Sequence, residues 1–425
     1  MELIVGGQPI KSFDFGSEGV TKIRGRIIAA SLLSGLLSSF AAWAEPARPM
    51  PAPTATTEPS AKEAAERENW RKKMLRTPRP TSGCFAATFP ETEWREVPCK
   101  TPPHKLYPPR HGQGIRVDTV GGSGPDFSAV VTGNVSEAVG SFDPGTVVSS
   151  ECAVPCPIQN GINVCPTNPT CTGAPANTYS LQLNTQYFKT NTCAGSPGGV
   201  NGGCMGWQQF VYDAQEGGVI QYWLLNFGPA GTNCPTPRGA HCLPGRVSTD
   251  GWCPFSFTPG GKVFCVVNSS QTASVPSEPI TKLSELKITA AVAGVNGKND
   301  SIVVTAPDPP PQTMYPASGN NYFPDLGSQW QEAEFNVFGD GNGDQAVFNS
   351  GATVVVRTTV DSGTTSMPGC DERGFTGESN NLTLVNCCPI GGASPAILFT
   401  ESNAAGAIAM CPGYQPSYLF DLLFD

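Results

Sequence analysis

Residues 206–228 read GWQQFVYDAQEGGVIQYWLLNFG, with large aromatic side chains and glutamines on both sides of a tight turn. Two short runs of this kind around a glycine-containing turn are typical of an antiparallel hairpin. Successive side chains of a strand point to opposite faces. Trp207 and Gln209 therefore share one face, and Gln221 and Trp223 share a face of the partner strand.

A sheet face that carries glutamines beside indoles differs from the aliphatic face of an ordinary core. It suits a concave, partly wet groove that offers stacking and hydrogen bonds to an extended ligand. We expect Trp207 and Trp223 to stack on the ligand and Gln209 and Gln221 to hydrogen-bond to it, with Gln208 as a further groove residue. The alternative is a solvated face with cross-strand polar pairs.

The rest of the chain from Cys84 onward repeats this strand-and-turn pattern. About a dozen short β-rich runs are separated by turn residues, and the 425-residue chain contains 48 Gly and 41 Pro and is only 14% charged. Strands without intervening helices predict an all-β fold, a large antiparallel β-sandwich. Residues 151–173 show no strand pattern, and we expect a disulfide-rich loop insertion there.

Sixteen cysteines lie between Cys84 and Cys411, and the first 83 residues contain none. An even number in an exported chain predicts disulfides. The cluster Cys152, Cys156, Cys165 and Cys171 could instead bind a metal, but it is interleaved with Pro and Gly and the chain has only three His. We therefore expect neither a metal nor a cofactor, and the pairing of the cysteines is left open.

The N-terminal part has the features of an export signal followed by a spacer. Lys22, Arg24 and Arg26 precede an apolar run that ends in Ala42-Trp43-Ala44, which predicts a signal peptide over residues 1–44. An uncleaved anchor is the alternative. Residues 45–83 form a Pro/Ala-rich linker and a short basic helix, either a propeptide or a solvated spacer, and residues 84–425 form the sandwich domain.

Three stretches resemble the eqolisin-type glutamic peptidases. They are DFSAVVTGNVSEAVGSF at 126–142, LSELKITAAV at 283–292 and WQEAEFNVFGDGNGDQAVFNSGATVVV at 330–356. The spacing of GWQ, YW and Cys234 in residues 206–234 is also similar to that of the neprosin-type glutamic peptidases. The resemblance covers roughly residues 115–360, and it implies a concanavalin-like antiparallel sandwich with a long substrate groove on one sheet.

The resemblance also implies a catalytic pair, in which a glutamate acts as general base and a glutamine holds the oxyanion. The glutamine falls on Gln209, or on Gln208 if the register slips by one. The glutamate falls on Leu225 by the eqolisin pattern and on Cys204 by the neprosin pattern, and neither can accept a proton. We expect no other carboxylate to replace it, although Glu334, Glu378 and Glu401 are candidates.

Two further patterns point to other chemistry. Residues 358–368 include the DSGT of an aspartic-peptidase loop, but no proper second loop is present. DGNGD at Asp340–Asp344 has the alternating oxygens of a calcium loop, but it lacks the later glycine and glutamate. We interpret both as turns.

Three hypotheses for the function follow. The first is an exported, non-catalytic protein that binds an extended extracellular polymer, polypeptide or glycan. The second is a secreted, acid-acting glutamic endopeptidase with a relocated carboxylate, and the third is a structural coat or wall protein. Whether the chain is an enzyme is left open, as is its oligomeric state. The net charge of −9 argues against nucleic acid, and no membrane partner is expected after signal cleavage.

Overall fold

The hairpin predicted from residues 206–228 is present. Strands Met205–Asp213 and Gly217–Gly228 pair antiparallel, with Trp207 opposite Trp223 and Gln209 opposite Gln221. All four side chains lie on one face, as the alternation predicts.

The computed structural model describes residues 60–407, except 81–82, 111–119, 123, 160–161, 167–168, 198, 241, 244–245 and 294–298. The predicted signal peptide and the linker up to residue 59 lie outside this part. The strands β1–β25 are, in chain order, Cys84–Thr88, Arg95–Val97, Cys99–Lys100, Val120–Gly121, Ser128–Val130, Glu137–Phe142, Glu151–Val154, Ile158–Gln159, Ile162–Asn163, Ser180–Thr185, Met205–Asp213, Gly217–Gly228, Cys253–Phe255, Val263–Asn268, Thr272–Ala273, Lys287–Ala291, Ser301–Ala306, Thr313–Ser318, Glu332–Phe338, Gln345–Phe348, Thr353–Asp361, Gly369–Asp371, Ser379–Asn380, Thr383–Ile390 and Ala396–Ser402.

Two large sheets build the predicted antiparallel sandwich. The nine-stranded sheet has the order β2-β1-β18-β17-β16-β6-β21-β25-β24, and the eight-stranded sheet has the order β13-β14-β12-β11-β10-β19-β5-β22. A four-stranded sheet, β4-β23-β20-β7, contains a parallel pair between β20 and β23. The short pairs β15-β3 and β8-β9 complete the strand pairing in the described part of the chain.

The core lies between the two large sheets. Leu183 of β10 and Phe335 of β19 face Ile288 of β16 within one buried apolar cluster. The opposite face of the eight-stranded sheet carries the polar side chains of the hairpin. Gly140 of β6 supports the close approach of the sheets, because a Cβ at this position would lie 2.0 Å from Phe335 Cδ2.

Disulfides are present, as predicted, and several of them join residues of the strands. The pairs between described residues are Cys84–Cys99, Cys152–Cys171, Cys156–Cys165, Cys193–Cys204, Cys234–Cys265, Cys242–Cys253 and Cys370–Cys387. Cys388 is also disulfide-bonded. The four cysteines that could have bound a metal are thus used in two disulfides. Residues 151–173 also contain β7, β8 and β9, so the expectation of a strandless insertion was wrong. The disulfides indicate that the fold forms in an oxidising compartment.

One α-helix, α1 (Ala61–Arg76), precedes the strands in the described chain, and 3-10 turns occur at Asn191–Gly195, Val200–Gly202, Ile280–Glu285 and Leu326–Ser328. Ser60 caps α1 through a hydrogen bond from Glu63 N. Trp70 and Met74 pack on the outer face of the nine-stranded sheet against Val303, and Arg71 donates to Thr289 Oγ1 at 2.9 Å. The helix is therefore part of the packed unit and not a solvated spacer.

No helix in the described ranges is long and apolar enough to span a bilayer.

Candidate functional site

A polar row crosses the outer face of the eight-stranded sheet. The register places one polar residue of each of five neighbouring strands, β19, β10, β11, β12 and β14, side by side. We call Glu334, Asn184, Gln209, Gln221 and Asn268 the polar row. All five are fully buried. The expectation of a wet groove face, and the alternative of a solvated face, are therefore both wrong for the chain as described.

The two tryptophans predicted to stack on a ligand lie beside the polar row and are also fully buried. Trp207 Nε1 donates to Thr185 O, and Trp223 Nε1 donates to Gln221 Oε1, each at 2.8 Å. Their rings belong to a second apolar cluster, on the side of the sheet away from the main core. The predicted face is correct, but in this form it is covered.

Gln208 does not belong to this face. Its side chain points between the two sheets, where Nε2 donates to Asp300 Oδ2 at 2.9 Å. Since Gln209 has the orientation expected of the polar row, the register of β11 leaves Gln208 on the other side. The prediction that Gln208 binds in the groove was wrong.

The covering element is an extended segment that precedes β4. We call residues 101–110, TPPHKLYPPR, the strap. Gln221 Oε1 accepts from Tyr107 N at 2.9 Å, and Gln221 Nε2 donates to Lys105 O at 3.0 Å. Asn268 Nδ2 donates to Pro103 O at 2.5 Å. Amide side chains of the polar row thus hydrogen-bond to the backbone of an extended polypeptide.

The strap continues across the sheet towards β19. Pro108 O accepts from Gly377 N, and Arg110 N donates to Phe375 O, each at 2.7 Å. Where the strap reaches Arg110, an open hollow of about 510 Å³ is lined in part by Tyr187, Glu332 and Arg373. The strap therefore crosses the strands of this face, and the hollow lies beside its Arg110 end.

Charged groups hold one strap side chain. Lys105 Nζ lies 2.6 Å from Asp340 Oδ1, 2.9 Å from Asp213 Oδ2 and 3.6 Å from Glu216 Oε1. Partial burial alone would lower the pKa of Lys105, but the charges of Asp213 and Asp340 outweigh it and raise that pKa. Asp340, a residue of the possible calcium loop, therefore serves as a partner of a lysine.

A buried carboxyl group reaches Gln209 through one intervening amide. Gln209 Nε2 donates to Gln182 Oε1 at 3.2 Å, and Gln182 Nε2 donates to Glu378 Oε2. Gly343 N also donates to Glu378 at 3.3 Å. Burial and the charge of Asp344 raise the pKa of Glu378 well above its usual value. Glu378, one of the candidate carboxylates, thus lies one amide side chain away from Gln209, and the expectation that no carboxylate replaces the catalytic glutamate stays a prediction.

A second carboxyl pair lies at the β19 end of the row. Glu334 Oε2 accepts from Asn184 Nδ2 at 2.8 Å, and its Oε1 accepts from Phe375 N at 3.1 Å. Asp126 is hydrogen-bonded to Glu334. Burial raises the pKa of both groups, and the charge of Glu334 raises that of Asp126 further. This end of the row therefore brings two buried carboxyl groups together, and burial favours the protonated form of each.

The positions that the resemblance assigned to the catalytic glutamate have other roles. Leu225 packs in the apolar cluster of the tryptophans, and Cys204 is bonded to Cys193. Glu378 and Asp126 come from loops beside the sheet, and a strand pattern does not indicate where such residues fold. The sequence does offer one signal for such residues. Few acidic residues occur within its apolar or amide-rich segments, so each one that does is a candidate for a buried carboxyl group.

Among the residues that the structure describes, no three His, Cys, Asp or Glu side chains are arranged to hold a metal ion. No protein-family model, curated protein or solved structure matches this chain. The resemblance to glutamic peptidases therefore stays a prediction from the sequence.

Proposed function

We propose that the outer face of the eight-stranded sheet is a binding cleft for an extended polypeptide, and that the strap is its resident occupant. The observation that carries this proposal is the contact of Gln221 and Asn268 with backbone groups of Pro103, Lys105 and Tyr107. Backbone recognition suits many polypeptide sequences, as in other modes of binding extended peptides. The main chain of a glycan consists of sugar rings joined through ether oxygens and has no such repeat of amide donors and acceptors.

Unused hydrogen-bonding capacity in the row supports a binding role. In the described part of the chain, Gln209 Oε1 and Asn184 Oδ1 have no hydrogen-bond partner although both side chains are fully buried. A buried acceptor without a donor is costly. A ligand that offers donors here would therefore gain more than the strap does.

The test removes the three strap side chains that are held in the sheet face, so that the strap binds there more weakly. We expect the strap variant K105S/L106S/Y107S to be retained on immobilised gelatin, with little retention on cellulose, chitin or pectin. The wild-type chain should be retained less, because its cleft is filled. The matched control is T101A, which changes an exposed residue at the start of the strap. Retention on a glycan alone, or retention of neither kind, would overturn the proposal.

The second candidate is an acid-acting carboxyl peptidase, favoured by the chain of hydrogen bonds from Glu378 through Gln182 to Gln209. In the closed form burial raises the pKa of Glu378 and so favours its protonated form, whereas a general base must be charged. Catalysis would thus require the strap to leave, so that water can solvate the carboxylate. Gln209 would then hold the oxyanion.

Casein degradation between about pH 2 and about pH 6 distinguishes the two candidates. If the protein is a peptidase, the strap variant degrades casein faster than wild type, and Q209A or E378Q in that background lowers the rate at least about a hundredfold. Q215A, in the exposed turn after β11, is the control. A strap variant that binds gelatin but leaves casein intact is a binder only.

We also propose that the protein is exported. Support comes from the disulfides, which form in oxidising compartments, and from the export pattern in residues 22–44. Alkaline phosphatase, which is active only after export, reports this directly when fused after residue 60. A fusion that stays inactive contradicts export.

A further inference from the structure

Three consecutive side chains of the strap enter three chemically different subsites. We infer that the cleft selects polypeptides that carry a basic, a branched aliphatic and a tyrosine side chain in that order, as Lys105, Leu106 and Tyr107 do. This inference rests on the proposed function and specifies the class of ligand.

The first subsite is acidic. Asp213, Glu216 and Asp340 converge on Lys105 Nζ within 3.6 Å. Asp213 is held in place from the other side, because its Oδ1 accepts from Gln215 N at 2.7 Å and from Glu216 N at 2.9 Å. Three carboxylates around one ammonium group favour a cation, and they would repel a glutamate or aspartate.

The second subsite is apolar. Leu106 is only 5% exposed and packs in the cluster that contains Trp207, Trp223 and Phe375. The buried members of this cluster are aromatic, aliphatic and cysteine side chains, and the partly buried Tyr187 packs against them. An aliphatic side chain gains burial here, and a polar one would lose its water without a partner.

The third subsite recognises tyrosine by shape and by its hydroxyl group. The ring of Tyr107 packs on Val211 and Val219, and its hydroxyl donates to Asp213 Oδ2 at 2.7 Å. The residue is fully buried. A phenylalanine would fill the same space but would leave Asp213 without one of its donors.

A single side chain sets the register of these three positions. Gln221 hydrogen-bonds to the carbonyl of Lys105 and to the amide of Tyr107, which flank Leu106. A ligand shifted by one residue would lose one of these bonds or place the wrong side chain in each subsite. Backbone contacts therefore give affinity and register, and the subsites give the order.

The test measures binding of labelled peptides to the strap variant by fluorescence anisotropy. We expect the peptide TPPHKLYPPR to bind about tenfold more tightly than versions with Lys→Glu, Leu→Ser or Tyr→Phe. We expect a scrambled peptide to bind more weakly than any of these. In the strap variant with D340K added, the preference for the Lys peptide over the Lys→Glu peptide should shrink, because an ammonium group replaces one of the three carboxylates.

Equal binding of all these peptides would overturn the inferred order of side chains but leave the proposed function intact. Binding of none of them, by a folded strap variant, would overturn both.

A second measurement uses the full chain and needs no open cleft. K105E should lower the midpoint of thermal unfolding, because it adds a fourth carboxylate to the first subsite, and D340K should restore most of that loss in the double variant. The control pair uses R95E, alone and with E91K, because Arg95 and Glu91 form an exposed salt bridge; neither change should have a measurable effect. If D340K does not rescue K105E, the acidic subsite does not select for charge.

Discussion

Lowering the pH from about 9 to about 5 should raise the midpoint of thermal unfolding by ~10 °C or more. The cause is a set of carboxyl groups for which the effect of burial outweighs the hydrogen bonds that they accept. Burial raises the pKa of Glu151 and of Glu401 to about 8, and that of Glu278 to about 7. Burial also raises the pKa of Asp344 to about 6.

The sign follows from proton binding. A carboxyl group with a raised pKa binds its proton more tightly in the folded chain than in the unfolded chain. The folded state therefore gains stability as the pH falls from about 8 to about 4.5, and it carries a penalty above this window. For Glu151, the pKa rises from 4.5 to about 8. At about 1.4 kcal/mol for each pKa unit, the folded state with Glu151 ionised is penalised by on the order of 5 kcal/mol. Glu68 behaves oppositely: although burial raises its pKa, the hydrogen bond and charge of Arg71 lower it to about 2.

One variant isolates this effect. Glu151 is 1% exposed, and its Oε2 accepts from Thr178 N at 3.0 Å. In E151Q the amide oxygen can keep this bond, and the side chain cannot lose a proton. E151Q should therefore be more stable than wild type at about pH 9 and close to it at about pH 5. The control is E372Q, at an exposed position. A midpoint that is constant or falls between about pH 9 and about pH 5 would contradict the prediction.

Gly140→Ala should destabilise the fold by about 3 kcal/mol, at the upper end of what overpacking costs. A Cβ at Gly140 would lie 2.0–2.4 Å from three ring atoms of Phe335, which is fully buried. The ring has no free space, because Phe142 contacts it at a centroid distance of 5.2 Å. The added methyl group must therefore push β6 and β19 apart.

Rescue and control variants test the cause. Adding Phe335→Leu to G140A should recover part of the loss, with a coupling of at least about 1 kcal/mol in urea unfolding. G133A is the control, because its Cβ would meet Ser362 only at 3.5 Å or more, and it should stay within about 0.5 kcal/mol of wild type. If G140A and F335L were simply additive, the contact between the sheets would not explain the effect. Since β19 also carries Glu334, this contact helps to position one end of the polar row.

The sequence predicts the sandwich well because period-two alternation is a local signal. It places Trp207, Gln209, Gln221 and Trp223 on one face, and the register of the hairpin confirms this. The same alternation puts Gln208 on the opposite face, so placing Gln208 in the groove required a register shifted by one residue. The disulfides follow from composition, but their pairing depends on the folded path of the chain.

The covered state of the site could not be predicted from the hairpin. The strap has no periodicity, and its contacts with Gln221 lie more than a hundred residues away in sequence. Glu378 also lies more than a hundred residues from Gln182 in sequence. Such contacts are fixed by the topology of the sheet, which a pattern of single strands does not contain. The aspartate–lysine contacts of the first subsite have the same origin.

The attachment of the strap to its own cleft lowers the apparent affinity of the intact chain for a free polypeptide. An intramolecular competitor acts at a local concentration of roughly millimolar order, whatever the protein is diluted to. If the strap itself has an intrinsic Kd of micromolar order, a free polypeptide would then show an apparent Kd roughly a thousandfold weaker on the intact chain. Titrations of the intact chain at ordinary concentrations should therefore be silent, and severing the tether should increase apparent affinity without altering any contact in the cleft.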